Sequence, residues 1–162
     1  MDFNRLRELS QGSAVVISPS SLLTNCHVVK DRPIIAIVQE KEVKEARVAA
    51  ADPSTDRCIL AVDEANLVPV KGVRLFLGMK IGERVYTVGA PSGLELTLGE
   101  GIISGLRPSK TGRFVQTTAP ISPGSSGGGL FDNSGNLIGV TTFLLKEAQA
   151  LNFAIAAEDY WR

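Results

Sequence analysis

Ala119-Pro-Ile-Ser-Pro-Gly-Ser-Ser-Gly-Gly-Gly-Leu130 is the most distinctive stretch of this 162-residue chain. Gly124 and the three glycines after Ser126 permit a backbone turn whose successive N–H groups converge on one point, because glycine accepts φ values that other residues avoid. Such a nest can hold an oxyanion. Strand-like apolar stretches adjoin the run closely, Phe114 to Thr117 before it and Gly128 to Phe131 overlapping its end. It therefore reads as a built turn rather than a flexible Gly/Ser linker.

Gly124-Ser125-Ser126-Gly127-Gly128 also satisfies G-x-S-x-G, the nucleophile elbow of α/β-hydrolases. That fold needs its histidine after the serine and an alternation of strands and helices around the motif. Here the only histidine, His27, precedes the serine, and no such alternation is present. A serine activated by His27 instead implies the chain order His, Asp, Ser. Between the two lies Asp52-Pro-Ser-Thr-Asp56, followed by the apolar run Ile59-Leu-Ala-Val62. Asp52, just before a proline, suits a turn. Asp56, at the mouth of an apolar strand, is placed to accept the Nδ1 proton of a histidine and fix its tautomer.

Working outward, short apolar stretches broken by Gly, Pro, Asn and Asp recur along the chain, among them Ala14 to Ile17, Ile34 to Val38, Val85 to Val88, Gly101 to Leu106 and Leu137 to Phe143. That spacing predicts an all-β fold. Asp132-Asn-Ser-Gly135 joins two such stretches as a hairpin turn does. Helix is expected only at the ends, with Phe3, Leu6 and Leu9 forming one apolar face and Ala156 to Trp161 a second short helix. The mixed-sign run from Glu40 to Arg47 reads as the solvated face of a hairpin. The segment Asn66 to Met79 is the expected crossing between two halves.

Composition narrows the function. Seventeen Lys plus Arg against seventeen Asp plus Glu give no net charge, so the chain has no overall field to hold a phosphate backbone, and no nucleic-acid partner is expected. One histidine and two separated cysteines do not reach the usual ligand count of a zinc site, so neither metal nor cofactor is expected. No apolar run approaches the roughly 20 residues of a membrane-spanning helix. Met1 to Gln11 lacks the regions of a secretory signal, and the compartment stays open.

Thr24-Asn-Cys-His-Val-Val29, Asp52-Pro-Ser-Thr-Asp56 with Ile59-Leu-Ala-Val62, and Ile121-Ser-Pro-Gly-Ser-Ser-Gly-Gly128 with Leu137-Ile-Gly-Val140 together resemble the three signatures of chymotrypsin-like serine peptidases, in the HtrA/Deg branch (trypsin-like peptidase 2). Leu151-Asn-Phe-Ala-Ile155 is similar to that branch's last strand. The resemblance implies two six-stranded antiparallel β-barrels with short terminal helices. The expected division is an N-terminal extension over 1–11, a first barrel over 12–72 and a second over 73–162. It implies a serine endopeptidase acting through an acyl-enzyme, with Ser126 as nucleophile, His27 as general base and then acid, and Asp56 as the buried orienting carboxylate. Backbone N–H groups of Gly124 and Ser126, with Ser125, would form the oxyanion hole. The alternative is a catalytically silent peptide-binding or chaperone-like domain on the same fold.

By the same resemblance the specificity pocket has Pro120 and Ile121 at its base, Thr142, Phe143 and Leu144 on one wall and Asn152 near the other. None is charged, so cleavage is expected after small or medium aliphatic residues of an extended polypeptide. The family places Asn or Asp before the nucleophile, where this chain has Ser125, and usually Pro or Ala where it has Gly129. Lacking an acid there, the chain is not expected to be activated by N-terminal cleavage. Cys26 and Cys58 are expected as two buried reduced thiols rather than a disulfide. A periplasmic or secreted location is one possibility the resemblance offers; the oligomeric state is left open.

Overall fold

The computed structural model describes residues 11–39, 42–63, 66–90, 96–122, 124–146 and 149–161, with the backbone alone for 143–146 and 149–151. Among the described residues eleven strands carry the fold, which is all-β as the spacing predicts. The first five are β1 (Val15–Ser18), β2 (Ser21–Thr24), β3 (Ile35–Gln39), β4 (Glu42–Asp52) and β5 (Arg57–Ala61). They form one antiparallel sheet in the order β1-β2-β5-β4-β3. The other six are β6 (Arg84–Gly89), β7 (Thr97–Pro108), β8 (Arg113–Thr117), β9 (Gly129–Phe131), β10 (Leu137–Lys146) and β11 (Gln149–Ala156), and they close into a barrel.

The first half is a half-barrel sheet beside this closed barrel, consistent with the expected chymotrypsin-like double barrel. Among the described residues it has five strands with β1 and β3 as edges. A bulge between Val48 and Ala50 curls the long β4. The β3–β4 hairpin is solvated as its charge pattern predicts, with Val38 and Val43 paired and exposed near its tip.

Period-two alternation fills the closed barrel. In β6, Val85 and Thr87 are buried while Arg84 lies outside. Val85, Ile103, Val115, Leu130 and Ile138 are fully buried inside, each contributing about 1.5–3 kcal/mol of transfer free energy. Phe76 and Met79, from the Asn66 to Met79 crossing, pack against the same cluster around a 3₁₀ turn at Phe76–Gly78.

A second cluster joins the halves: Val15 and Leu23 of the first sheet meet Val140, Ile155, Ala157 and Tyr160. Tyr160 lies in a C-terminal 3₁₀ turn, Ala157–Trp161, where a short helix is predicted. Its hydroxyl donates to the Thr24 carbonyl at 2.8 Å, and Arg57 Nη1 donates to the Asp159 carbonyl at 2.6 Å. The turn is thereby strapped across the first sheet at the end of β2. Burial pushes the Tyr160 phenol well above its ordinary range, so it stays a donor. The N-terminal helix expected around Phe3, Leu6 and Leu9 lies outside the described residues.

One helical turn was not foreseen. Cys26–Val29 forms α1, where the apolar pattern suggests a strand end. β2 stops at Thr24, and the Val28 N–H folds back to the Asn25 carbonyl at 3.1 Å, which starts the turn. The cysteine expectation is corrected with it, because Cys26 and Cys58 form a disulfide. Thr24 pairs directly with Cys58 across β2 and β5, and α1 brings Cys26 back over that pair, leaving Cα atoms 4.9 Å apart and both residues buried. No helix among the described residues is long and apolar enough to cross a membrane.

Candidate active site

His27 and Asp56 are brought together by the start of α1 and the turn before β5. Pro53 to Asp56 fold tightly, with the Asp56 N–H donating to the Pro53 carbonyl at 3.3 Å and Asp56 itself at φ 60°. That left-handed conformation is costly for a residue with a Cβ, though Asp tolerates it better than most. Asp52 holds the turn as its sequence position suggests, accepting from Ser54 Oγ at 2.7 Å. Hydrogen bonds from Ser54 and Thr55 lower its carboxyl to about 2.

Asp56 then receives two hydrogen bonds from one residue. The His27 backbone N–H donates to Oδ1 at 2.8 Å, and Nδ1 lies 2.6 Å from Oδ2. With Nδ1 so engaged, Nε2 is the nitrogen left to exchange a proton. The hydrogen bond to Asp56, with that carboxylate's charge, raises the His27 pKa above its ordinary 6.5 against the opposing effect of partial burial. Asp56 is less enclosed than expected, with about a third of its side chain exposed at 32%, while the imidazole is exposed at 53%.

The glycine-rich turn meets the segment before His27 through the hydrogen bond from Ser126 to Asn25. A Cβ on Gly127 would fall 2.1 Å from the Ser13 carbonyl oxygen, and one on Gly128 would fall 2.4 Å from that of Val88. Both positions therefore require glycine, and Gly127 also has φ 94°. The turn is pinned by backbone bonds from Ser13 N to Ser126 O at 2.9 Å and from Gly127 N to Thr141 O at 2.8 Å. Ser13, which the sequence reading passed over, adds a bridge: its hydroxyl donates to the Gly124 carbonyl and accepts from the Ala90 N–H, both at 2.9 Å.

Ser126 is buried, and its hydroxyl donates to Asn25 Oδ1 at 2.8 Å rather than to His27. Asn25 was also passed over; its adjacency to the Cys26-His27 pair is the only sequence signal that pointed to it. Of the three N–H groups expected to face an oxyanion, that of Ser125 is engaged within the turn, donating to the Ser122 carbonyl at 2.9 Å. Those of Gly124 and Ser126 donate to no described residue.

Pro120 and Ile121 line a cavity of about 100 Å³ together with Ser122 and Ser125. Its remaining walls are Thr87 to Gly89, Thr97 to Gly99 and Thr141. Thr142 and Asn152 are not in this lining. Thr142 is buried in β10, and Asn152 Nδ2 donates to the Ala119 carbonyl at 3.1 Å, tying β11 to the segment that leads into the glycine turn. Phe143 pairs with Asn152 and Leu144 with Leu151 along the β10–β11 ladder; their side chains lie outside the description.

The family model described as the trypsin-like peptidase domain matches residues 12–140, which hold α1, the Asp56 turn and the Ser126 turn. The chain belongs to this family. This trypsin-like peptidase domain is 37% identical over 159 residues to a putative serine protease, HhoB, of Synechocystis, covering 92% of the chain and 38% of that relative. It is 36% identical to a probable periplasmic serine endoprotease, DegP-like, of Pseudomonas putida, covering 94% of the chain and 34% of the relative. The domain therefore spans little more than a third of these curated relatives. Among solved structures it superposes on an HtrA-type protease, AlgW, with a tripeptide at a TM-score of 0.85 and 33% identity, covering 94% of the chain and 54% of that structure. It also superposes on Deg5 at a TM-score of 0.78 and 29% identity, covering 95% and 81%.

Proposed function

We propose that this domain is a serine endopeptidase that cleaves extended polypeptides through an acyl-enzyme. The observation that carries the reading is the double hydrogen bond from His27 to Asp56, which holds Nδ1 and leaves Nε2 to work as a base. The Ser126 hydroxyl leaves Asn25 and turns to Nε2. Its oxygen attacks the scissile carbonyl carbon while Nε2 takes the proton, and the charge on the carbonyl oxygen faces the N–H groups of Gly124 and Ser126. The C–N bond breaks as His27 returns the proton to the leaving amine. Water, deprotonated by the same nitrogen, then releases the acid and restores Ser126.

The relatives' names, serine protease and serine endoprotease, support the same chemistry. Among the described residues no charged side chain lines the cavity at Pro120 and Ile121, which supports cleavage after Val, Ala or Leu, since a cation or carboxylate there would go unpaired. Labelling with a fluorophosphonate probe tests the assignment of the nucleophile. The parent and Ser125→Ala are expected to label and Ser126→Ala is not. Labelling that survives Ser126→Ala, or none in the parent, would overturn it; the second result is what a silent peptide-binding domain gives.

A further inference from the structure

The side chain of Asn25 is wholly buried and its carboxamide has one described partner, the Ser126 hydroxyl. Oδ1 accepts from Oγ at 2.8 Å, while Nδ2, equally buried, has no partner among the described residues. Asparagine at the start of a helix ordinarily caps it with the side chain. Asn25 holds that position before α1 and makes no side-chain cap. The first N–H groups of the turn are satisfied without it: Cys26 N–H donates to the Asp56 carbonyl, His27 N–H to Asp56 Oδ1, and Val28 N–H to the Asn25 carbonyl. A desolvated donor with no acceptor weakens the fold, and alanine would avoid it. Neither the cap nor stability accounts for an amide here. Ser126 does.

We propose that Asn25 is a positioning residue for the nucleophile, with two settings of its carboxamide. In the setting observed, Oδ1 accepts the Ser126 proton and keeps it from His27. A half-turn about the Cβ–Cγ bond exchanges Oδ1 for Nδ2 at the same place, so that an N–H donates to a lone pair of Oγ. The hydroxyl proton is then free to point at His27 Nε2, and the unmade donor gains its acceptor. No proton passes to or from Asn25; the only transfer remains that from Oγ to Nε2. The inference rests on Ser126 being the nucleophile. It goes further by tying the readiness of that hydroxyl to a residue between β2 and α1.

The test compares the parent with Asn25→Ala and Asn25→Asp in steady-state peptide hydrolysis, with thermal unfolding and fluorophosphonate labelling on the same samples. Loss of one positioning hydrogen bond is expected to lower kcat about tenfold in Asn25→Ala. KM should stay within twofold and the unfolding midpoint should be equal or higher, because the unmade donor is gone. Asn25→Asp, of the same shape but able when ionised only to accept, should lower kcat further than alanine. A kcat for Asn25→Ala within twofold of the parent, or a loss that follows KM and the unfolding midpoint instead, overturns the proposal. A parent that does not label at Ser126 overturns the nucleophile assignment and this inference together. Normal labelling at Ser126 with unaltered Asn25 variants overturns this inference alone.

Discussion

Asp56 accepts two hydrogen bonds from His27, one from the backbone N–H at 2.8 Å and one at Nδ1 at 2.6 Å. The pair is held at three further points: the Cys26 N–H donates to the Asp56 carbonyl, the Cys26–Cys58 disulfide crosses beside it, and β2 pairs with β5 just below. The imidazole is thus oriented by main chain, side chain and covalent links converging on one turn. That frees it from reliance on deep burial, which is why a half-exposed histidine can still have a defined tautomer.

Because Asp56 raises the His27 pKa, the imidazole proposed as the base is neutral only above a value higher than 6.5. The expected kcat/KM profile rises with pH through that raised value. Replacing Asp56 by Asn should move the inflection down to 6.5 or below and reduce kcat by about 10⁴-fold, as in the general triad template. The sign for stability is opposite. The charged His27 favours the fold, fully so below the unfolded value and progressively less as pH rises through the folded one. Rate profiles and unfolding midpoints across pH 5 to 9, taken on both proteins, check the two limbs.

The disulfide closes a loop of sequence separation 32. Chain entropy for a loop of that size predicts a loss of about 3–4 kcal/mol on reduction. Replacing both cysteines by Ala should lower the unfolding midpoint and reduce kcat as well, because α1 loses its covalent link to β5. Denaturant unfolding with and without reductant, beside intact mass after alkylation, reads the expected outcome; alkylation of two thiols in the unreduced protein would contradict the bridge.

Gly127→Ala places a Cβ 2.1 Å from the Ser13 carbonyl oxygen at a backbone φ of 94°. Strain at such a position amounts to about 1–3 kcal/mol before the clash is counted. Circular dichroism should show a lowered midpoint, and labelling of Ser126 should be lost even in the folded fraction, since the turn must move away from Ser13 to make room.

A peptide library should be cut mainly after Val, Ala or Leu. Among the described residues the cavity at Pro120 and Ile121 has no charged lining, and burying an unpaired charge costs roughly several kcal/mol. Cleavage mainly after Arg or Glu would contradict this specificity.

By the family resemblance, Ser125 stands where an acid would pair with a newly cleaved N-terminus. Chains with and without residues 1–10 are expected to have kcat/KM values within about twofold of one another, a difference of no more than about 0.4 kcal/mol. Strict dependence on a processed terminus would contradict it.

Much of the site was legible in local sequence. Gly127 and Gly128 could be read as a tight turn because a glycine's permission is a property of its own backbone, and the structure shows which carbonyl oxygens make it obligatory. Asp52 was separable from Asp56 because a residue before proline is confined by its neighbour. The turn at Cys26–Val29 was not legible: Cys26-His-Val-Val29 is apolar and β-branched, and what bends it is the Asp56 carbonyl and carboxylate meeting its N–H groups. The disulfide followed from that bend and was misjudged for the same reason.

Sequence alone determined that this chain is built of short strands and that its only histidine comes before Asp56 and Ser126, because periodicity and order are written along one dimension. It also determined where glycine is tolerated. Tertiary structure alone decided that Cys26 reaches Cys58 and that the Ser126 hydroxyl faces Asn25 instead of His27. These are contacts between segments far apart in the chain. Their geometry depends on how two sheets pack over Val15, Leu23, Val140 and Ile155, and no local pattern of residue types contains that distance.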